Sequence, residues 1–208
     1  MAKIRAVIFD IGNVLIRWQP EAFFDGLIPQ AQRRRLFAEV DLHAMNEAID
    51  SGAPFRQTVY DTASRYPEHS AMIRLWHDRW ADIAAPAIEG SARLNTKLRQ
   101  AGIKTAILSN IGQETYDIAA EKYPFLHEFD AVFLSGPLGV TKPSAGIYEL
   151  VETGLGLPPA SLLFADDRAE NIAAATARGW QGHLFADADG FQAHLTSLGL
   201  LPPPGATG

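Results

Sequence analysis

The sequence predicts an α/β fold built around a parallel β-sheet. Short apolar runs that have the character of buried strands alternate with segments of helical periodicity, which is the pattern of βαβ units. The stretch 17–84 breaks this alternation, because it contains no clear strand run and reads as several helices. We therefore expect a Rossmann-like, three-layer α/β core with a parallel sheet in the middle and a small all-helical cap domain inserted after the first strand.

Five apolar runs predict the strands of the sheet. The first run is rich in Val, Ile and Phe, as expected of a central strand that is covered on both faces. The five runs are residues 4–9, 105–108, 131–134, 162–165 and 182–185.

Helical segments fill the spaces between these runs. Ser91 is expected to cap the first of them, Gly102 lies just past its end, and Gly179 is expected to end the last. The predicted helices are residues 91–100, 113–122, 144–153 and 168–178.

The inserted stretch carries its own helix signals. Pro29 and Pro54 are each expected to start a helix, the second after the turn formed by residues 50–53. Met72, Trp76 and Trp80 recur every four residues and predict one apolar helix face, which we assign to the core of the insert. The predicted domains are therefore a core of residues 1–16 and 85–200 and a helical cap of residues 17–84. Residues 201–208 are rich in Pro and Gly and predict a disordered tail.

Composition excludes several classes of function. The 208 residues are 47% hydrophobic and 20% charged, which is typical of a soluble globular protein, and the net charge of −6 argues against a nucleic-acid partner. The chain contains no cysteine, so disulfides and thiolate metal sites are excluded. Neither a signal-peptide core nor an apolar span of about 20 residues is present, which predicts no membrane partner and a cytoplasmic location.

Polar residues follow three of the predicted strands at the point where each strand ends. Asp10 follows the first strand, Ser109 and Asn110 follow the second, and the pair Asp166-Asp167 follows the fourth. The carboxyl ends of parallel strands open into the crevice where ligands bind, so we expect these side chains to meet. Each also has an ordinary explanation, since Asp and Ser cap turns and helices and acidic residues favour a helix N-terminus.

A lysine completes the set. Lys142 precedes Pro143, and proline favours an extended backbone in the residue before it, which fixes the direction from which the lysine approaches. A carboxylate, a hydroxyl, an ammonium group and a carboxylate pair are the groups that a magnesium-dependent phosphoryl-transfer site requires. Two adjacent acids at the end of a buried strand are costly without a cation, which favours such a site.

The order of these motifs resembles the haloacid dehalogenase-like hydrolase superfamily over residues 3–185. The run Phe-Asp-Ile-Gly-Asn-Val-Leu at residues 9–15 is similar to a subgroup of small-cap phosphatases related to sugar-1-phosphate phosphatases. The resemblance implies a Mg²⁺-dependent phosphomonoester hydrolase that acts through an aspartyl-phosphate on a small phosphorylated metabolite, with sugar phosphates as one candidate class. It leaves the oligomeric state open.

The resemblance also implies a role for each residue. Asp10 would be the nucleophile, Ser109 would hydrogen-bond the transferring phosphoryl group, and Lys142 would pair with Asp10 and the phosphate. Further groups would bind the metal or the substrate. Those implied for Mg²⁺ are Asp10, the backbone carbonyl of Gly12 and Asp167, supported by Asp166 and by Asn171 of a DDxxxN arrangement; those implied for phosphate or substrate are Asn13, Ser109 and Asn110.

One position departs from the commonest phosphatase pattern of this superfamily. A second Asp usually lies two residues after the nucleophile and protonates the leaving group, but this chain has Gly12 there. Losing such a group costs about 10²- to 10⁴-fold in rate. Three explanations remain open: an acidic leaving group such as an anomeric or acyl phosphate, a proton from water or from a cap residue (His43, Glu47 or His77), or a phosphate- or metal-binding module with little turnover.

Two further alternatives share part of the motif set. A haloacid dehalogenase uses the same nucleophile and lacks the second Asp, but it needs no metal, whereas Asp166-Asp167 argues for one. A phosphoacceptor receiver domain has its acidic pair after the first strand and its phosphoacceptor after the third. The order in this chain is the reverse, so we rank that class last.

Overall fold

The computed structural model of the protein describes residues 3–203. Of the predicted tail, residues 204–208 lie outside the described part, as do residues 1–2 of the predicted core. Leu201, the first residue of that tail, is buried against the core, as is Leu200 just before it, so the tail prediction is wrong for Leu201.

Residues 3–203 contain a five-stranded parallel sheet and a separate two-stranded antiparallel ribbon. The strands, in chain order, are β1 (Ala6–Phe9), β2 (Ile16–Trp18), β3 (Ala84–Ala87), β4 (Lys104–Ser109), β5 (Ala131–Leu134), β6 (Leu162–Asp166) and β7 (Gln181–Leu184). The order across the parallel sheet is β5-β4-β1-β6-β7, so β1 is central, with Val7 opposite Thr105 on one side and Leu163 on the other. The five predicted strands and their parallel arrangement are confirmed.

The helices divide into an inserted group and a group that covers the sheet. The inserted helices are α1 (Pro20–Asp25), α2 (Gln30–Glu39), α3 (Leu42–Asp50), α4 (Phe55–Arg65), α5 (Ser70–Asp78) and α6 (Trp80–Ile83). The others are α7 (Glu89–Gln100), α8 (Gln113–Lys122), α9 (Ser135–Leu138), α10 (Ala145–Leu155), α11 (Ala169–Ala177) and α12 (Ala188–Ser197). Short 3₁₀ turns lie at Pro67–His69, Pro124–Glu128 and Pro159–Ser161.

Both faces of the central strands are buried, which explains why β1 is apolar throughout and β6 is apolar up to Asp166. Val7 and Phe9 of β1 pack in one hydrophobic cluster with residues of α7, α8 and α12. Ala6 and Ile8, which point to the opposite face, pack in a second cluster with residues of α10 and α11. Successive side chains of a strand point to opposite faces, so a strand covered on both faces favours apolar residues at successive positions. The predicted three-layer core is confirmed.

The helical insert is continuous with the hydrophobic core below it. Trp76 is fully buried, and its ring lies 5.8 Å from that of Trp18 and 6.3 Å from that of Phe24. Trp80 is also buried and Met72 is partly buried, so these residues do pack within the insert. The prediction that they share one helix face is wrong, because α5 ends at Asp78 and Trp80 begins α6. The helices are attached through the ribbon β2–β3, in which Ile16 pairs with Ala87.

Two local features differ from the sequence prediction. The ribbon β2–β3 was not predicted, because its strands have only three and four residues and β3 reads Ala-Ala-Pro-Ala, which lacks the usual strand formers. The prediction that Ser91 caps a helix is wrong. Helix α7 starts at Glu89, two residues earlier, and this places the Ser91 side chain on the buried face.

Within residues 3–203, no helix combines the length and the apolar character that crossing a membrane requires.

Replacing Leu163 by Ala should lower the free energy of unfolding by about 2–5 kcal/mol, since a fully buried leucine in a central strand leaves a cavity when it is truncated. The matched control is Leu184→Ala in the edge strand β7, where the side chain is 53% exposed and we expect a loss below about 1 kcal/mol. Urea unfolding of both variants measures the difference; equal losses would contradict the assignment of β6 to the core.

Candidate active site

The carboxyl ends of three neighbouring strands bring the predicted site residues together. Asp10 follows β1, Ser109 ends β4 and Asp166 ends β6, and β1 lies between the other two. The Asp10 backbone N–H donates to the carbonyl of Ala165 at 3.0 Å, which continues the pairing of β1 with β6 up to the site. Lys142 comes from the segment between α9 and α10.

A cavity of about 510 Å³ opens above this edge of the sheet. Eight of the nine predicted site residues line it, namely Asp10, Gly12, Asn13, Ser109, Asn110, Lys142, Asp167 and Asn171. The ninth, Asp166, is fully buried beneath the others.

The centre of the site is the buried ammonium group of Lys142. Its Nζ atom lies 2.9 Å from Oδ1 of Asp10, 2.7 Å from Oδ2 of Asp166 and 3.1 Å from the carbonyl oxygen of Leu108, to which it donates. Burial alone would lower the pKa of Lys142, but the charges of Asp10 and Asp166 outweigh burial and raise the pKa. The lysine is therefore a fixed positive charge with all three of its N–H groups in use.

Asp10 has one oxygen engaged and one available. Its Oδ1 atom contacts Lys142 and accepts the backbone N–H of Ile11 at 2.7 Å, so Oδ2 is the oxygen left for a ligand. Burial raises the pKa of Asp10 to about 6, with Asp166 adding to this and Lys142 and Ser109 opposing it. At neutral pH the carboxylate form, which is the nucleophilic form, predominates.

Asp166 is saturated by hydrogen bonds and orients the groups around it. Besides Lys142, it accepts the Asn171 amide on both oxygens at 3.0 Å and the backbone N–H of Arg168 at 2.8 Å. Asn171 lies in the first turns of α11, so the DDxxxN spacing places its amide directly against the buried carboxylate. In the structure, the Asn171 side chain therefore hydrogen-bonds Asp166.

Three carboxylates form a cluster that could hold a metal ion. Asp10, Asp166 and Asp167 each present an oxygen within 4.8 Å of the others. One buried ammonium group faces two fully or nearly buried carboxylates, with Asp167 half-buried beside them, so the cluster carries excess negative charge. Hard oxygen ligands with a net negative charge suit Mg²⁺. Because Asp166 is already saturated, Asp10 and Asp167 are the carboxylates most available to it.

The loop after Asp10 is shaped by Asn13. This residue adopts a φ of 54°, a left-handed conformation that Asn tolerates better than most residues. Its amide donates to Oδ2 of Asp167 at 2.9 Å, and its carbonyl oxygen accepts the Trp18 N–H at 3.0 Å. Both ends of the side chain are engaged, so the contacts of Asn13 hold Asp167 in place.

Gly12 is not required by packing. A Cβ atom built at this position would meet one neighbour within 4 Å, the Cβ of Trp18 at 4.0 Å, which is an ordinary contact. The backbone of Gly12 does not adopt the left-handed conformation either. In this loop the residue with a positive φ is Asn13. The missing carboxylate at Gly12 is therefore a chemical difference, since the backbone there accepts a Cβ atom without a close contact.

Asn110 braces the lysine. Its amide nitrogen donates to the Lys142 carbonyl at 3.0 Å, and its side-chain oxygen accepts the Lys142 backbone N–H at 2.8 Å. These contacts use the side chain to position the backbone of Lys142, and the role of Asn110 in phosphate or substrate binding stays a prediction.

One acidic residue of the cavity was missed by the sequence analysis. Asp50, the last residue of α3, lines the cavity together with Asp10. Its Oδ2 atom accepts the Asn46 amide at 2.7 Å, and burial, followed by the charges of Asp10 and Glu47, raises its pKa to about 8. In the sequence, the run Asp-Ser-Gly-Ala at residues 50–53 is typical of a turn. The fold alone shows that this turn faces the carboxyl edge of the sheet.

The three cap residues considered as proton donors in place of the acid that Gly12 lacks are His43, Glu47 and His77, and only the first two line the cavity. Glu47 and His43 line the cavity with exposed side chains, and His43 contacts Glu21 at 3.2 Å. His77 lies elsewhere, with its ring 4.8 Å from that of Phe55 and its Nδ1 atom 2.8 Å from Asp78. The contacts of His77 make it a structural residue of the insert.

Comparison with known proteins places the chain among hydrolases. A family model of haloacid dehalogenase-like hydrolases matches residues 4–179. A sesquiterpene phosphatase of Aspergillus oryzae is 26% identical over 88% of this chain and 90% of its own length. Drimenol cyclase of Aspergillus calidoustus is 23% identical over 94% of this chain, which spans only 36% of that protein.

Solved structures share the fold. An enzyme of the same family from Bacteroides thetaiotaomicron, in complex with magnesium and inorganic phosphate, superposes with a TM-score of 0.66 at 17% identity, covering 88% of this chain and 95% of that one. The L-2-haloacid dehalogenase of Xanthobacter autotrophicus, with chloropropionic acid covalently bound, gives a TM-score of 0.63 at 21% identity, covering 96% and 85%. At these identities the likeness establishes a common fold.

Replacing Lys142 by Met should destabilise the protein by about 3–5 kcal/mol at neutral pH, because it leaves Asp10 and Asp166 buried without their shared cation. Lys104→Met is the matched control, since Lys104 is exposed and should change stability by less than about 0.5 kcal/mol. Chemical unfolding of the two variants measures this. A Lys142 variant as stable as the control would show that the ion pairs are not formed.

Replacing Asp50 by Asn should stabilise the metal-free protein increasingly as the pH rises from about 5 to about 8. The folded-state pKa of Asp50 lies above its unfolded value, so the wild type loses stability across this range, and the Asn variant escapes that loss. Allowing for solvent screening, we expect the difference to grow by about 1–3 kcal/mol. Thermal unfolding with chelator at several pH values measures it, and a difference independent of pH would contradict the raised pKa.

Proposed function

Because the chain belongs to the haloacid dehalogenase-like hydrolases, we propose that it is a Mg²⁺-dependent phosphomonoester hydrolase that acts through an aspartyl-phosphate formed on Asp10. The observation that carries this proposal is the cluster of Asp10, Asp166 and Asp167 around the ammonium group of Lys142 at the floor of a cavity. Within the family, the motif at residues 9–15 supports the small-cap phosphatases related to sugar-1-phosphate phosphatases as the subgroup.

The carboxylate cluster supports magnesium as the cofactor. Asp10, Asp167 and the backbone carbonyl of Gly12 are the groups that would hold the ion, with Asp166 and Asn171 behind them and Asn13 fixing Asp167. When bound, Mg²⁺ neutralises charge on the phosphoryl oxygens that would otherwise repel the nucleophile.

The protein's own groups account for the nucleophilic step. Asp10 attacks phosphorus through its free oxygen while Lys142 holds the other oxygen, so the carboxylate cannot turn away from the substrate. The Ser109 hydroxyl, buried beside Asp10, is placed to hydrogen-bond a phosphoryl oxygen. Water then cleaves the aspartyl-phosphate to give inorganic phosphate and regenerate Asp10.

The cavity favours a small, polar substrate. Among its lining residues are the polar side chains of Arg17, His43, Glu47 and Arg168, together with the indoles of Trp18 and Trp80. Hydroxyl-rich ligands such as sugar phosphates match this mixture of polar groups and flat apolar surfaces. The name of the Aspergillus oryzae relative makes a sesquiterpenyl phosphate the second substrate class to test.

A dehalogenase is the main alternative, because the same nucleophile and fold serve the Xanthobacter autotrophicus enzyme. Displacing a halide requires no divalent cation, so the excess negative charge of the cluster formed by Asp10, Asp166 and Asp167 favours the metal-dependent reaction. A binding module with little turnover is the other alternative. Its weakness is that the free oxygen of Asp10 and the fixed Lys142 are arranged for attack.

The helical insert completes the site as a cap. Residues 17–84 supply part of the cavity wall through α3 and the ribbon β2–β3, which supports the division into a core of residues 1–16 and 85–200 and a cap. The net charge of −6 supports a small-molecule partner over nucleic acid. A cytoplasmic location stays a prediction.

Asp10→Asn should abolish release of inorganic phosphate from sugar phosphates and from sesquiterpenyl phosphates, because the amide cannot form the acyl-phosphate. The wild type should release phosphate with Mg²⁺ and not with chelator. Asp61→Asn is the control, since Asp61 is exposed on α4 and its replacement should leave the rate unchanged. Haloacids are assayed in parallel; halide release without metal and no phosphate release from any ester would favour the dehalogenase.

A further inference from the structure

The proposed reaction needs a proton donor that the core does not supply. When the bond between phosphorus and the ester oxygen breaks, that oxygen takes the electron pair and becomes an alkoxide unless it is protonated. Gly12 has no side chain to do this, Asp10 is the nucleophile, and Asp167 is assigned to the metal. The remaining acidic residues that line the cavity are Glu47 and Asp50, both from α3 of the cap.

The turn that follows α3 is locked onto the core. The backbone carbonyl of Asp50 accepts the Ser135 hydroxyl, and the Phe55 N–H donates to Oε1 of Glu114 at 3.0 Å. Gly52 approaches so closely that a Cβ atom there would lie 2.8 Å from the carbonyl oxygen of Gly136. These contacts fix Asp50 relative to the sheet edge that carries Asp10.

The side chain of Asp50 is oriented as well. Trp76 donates through Nε1 to the side-chain oxygen of Asn46 at 3.2 Å, which leaves the Asn46 amide nitrogen pointing at Oδ2 of Asp50, 2.7 Å away. The Gly112 N–H is a second hydrogen-bond donor to the Asp50 carboxyl group. By contrast, Glu47 is exposed, so α3 presents one oriented acid and one solvent-facing acid to the cavity.

The charges around Asp50 favour its protonated form. Asp10 from the core and Glu47 from its own helix repel a negative charge there, Lys142 and the Gly112 N–H oppose them, and burial is the largest effect, so that the pKa of Asp50 reaches about 8. A carboxyl group with such a pKa carries its proton at neutral pH and can donate it.

We propose that Asp50 is the general acid of this site, replacing from the cap the acid that Gly12 lacks; the inference rests on the proposed phosphatase activity. As the bond between Asp10 and phosphorus forms and the ester bond breaks, Asp50 gives its proton to the departing oxygen, which leaves as an alcohol. The Asp50 carboxylate then takes a proton from the water that attacks the aspartyl-phosphate. Asp10, inorganic phosphate and protonated Asp50 result, so that protons balance over one turnover.

The test compares two leaving groups. For Asp50→Asn with Mg²⁺, kcat/KM for an alkyl phosphate such as a sugar-6-phosphate should fall by about 10²- to 10⁴-fold. For p-nitrophenyl phosphate, whose leaving group departs without a proton, the loss should stay below about tenfold. Adding Gly12→Asp to Asp50→Asn should recover alkyl phosphate hydrolysis at least about tenfold, because the space beside Trp18 accepts a side chain.

Controls separate the possible failures. Asp61→Asn, a replacement of an exposed Asp of the cap, should behave as wild type with both substrates. Equal losses with both substrates would mean that Asp50 only holds the cap in place, and no loss with the alkyl phosphate would mean that another group donates the proton; either result overturns the inference and leaves the phosphatase standing. A wild type that releases no phosphate from any ester overturns the proposed function itself.

A pH profile of the wild type provides a second test that needs no variant. With the alkyl phosphate, kcat/KM should fall as the pH rises through about 8, where Asp50 loses its proton, while kcat/KM for p-nitrophenyl phosphate should stay flat there. Profiles of the same shape for both substrates would overturn the inference.

Discussion

The buried contact of Lys142 with Asp10 and Asp166 is the interaction on which the rest of the site depends. Burying two carboxylates and one ammonium group is unfavourable unless their hydrogen-bonding capacity is met. Here it is met by the Leu108 carbonyl for the lysine, by Asn171 and the Arg168 N–H for Asp166, and by the Ile11 N–H for Asp10. Because these partners come from the ends of β1, β4 and β6 and from α11, the charge cluster fixes how the strand ends meet, and one oxygen of Asp10 remains free.

The core and the insert then divide the chemistry between them. The core holds Asp10, Asp166 and Asp167 at or just after the strand ends and the fixed positive charge of Lys142 on the segment between α9 and α10. The insert closes the cavity through the turn after α3, which contacts Ser135, Gly136 and Glu114 of the core. The carboxyl group of Asp50, where this turn begins, is partly buried and lies near charges of its own sign, and both conditions favour keeping a proton at neutral pH. The lack of a side chain at Gly12 and the presence of Asp50 are thus complementary features of one site.

Much of the fold and of the candidate site could be predicted from the sequence, because the strands and the polar residues that follow them are recognisable from local sequence patterns. Apolar runs identify β1, β4, β5, β6 and β7, since strands covered on both faces are mostly apolar, and the polar residues after three of these runs mark the site. What the sequence did not reveal depends on distant contacts. The ribbon β2–β3 is stabilised by pairing across the whole insert, Ser91 is buried because α7 begins early, and Asn110 braces a lysine 32 positions away. Asp50 looks like a turn residue until the fold brings its turn over Asp10.

The central claim is that Asp10 becomes phosphorylated during turnover. The most direct test is to quench the enzyme in acid while it hydrolyses its best phosphate ester with Mg²⁺, and to map the modification by mass spectrometry of the peptide that contains Asp10. We expect that peptide to gain the mass of one phosphoryl group, to lose it on treatment with hydroxylamine as an acyl-phosphate does, and to remain unmodified in Asp10→Asn. Turnover with the phosphoryl group on another residue, such as Ser109, would contradict the account.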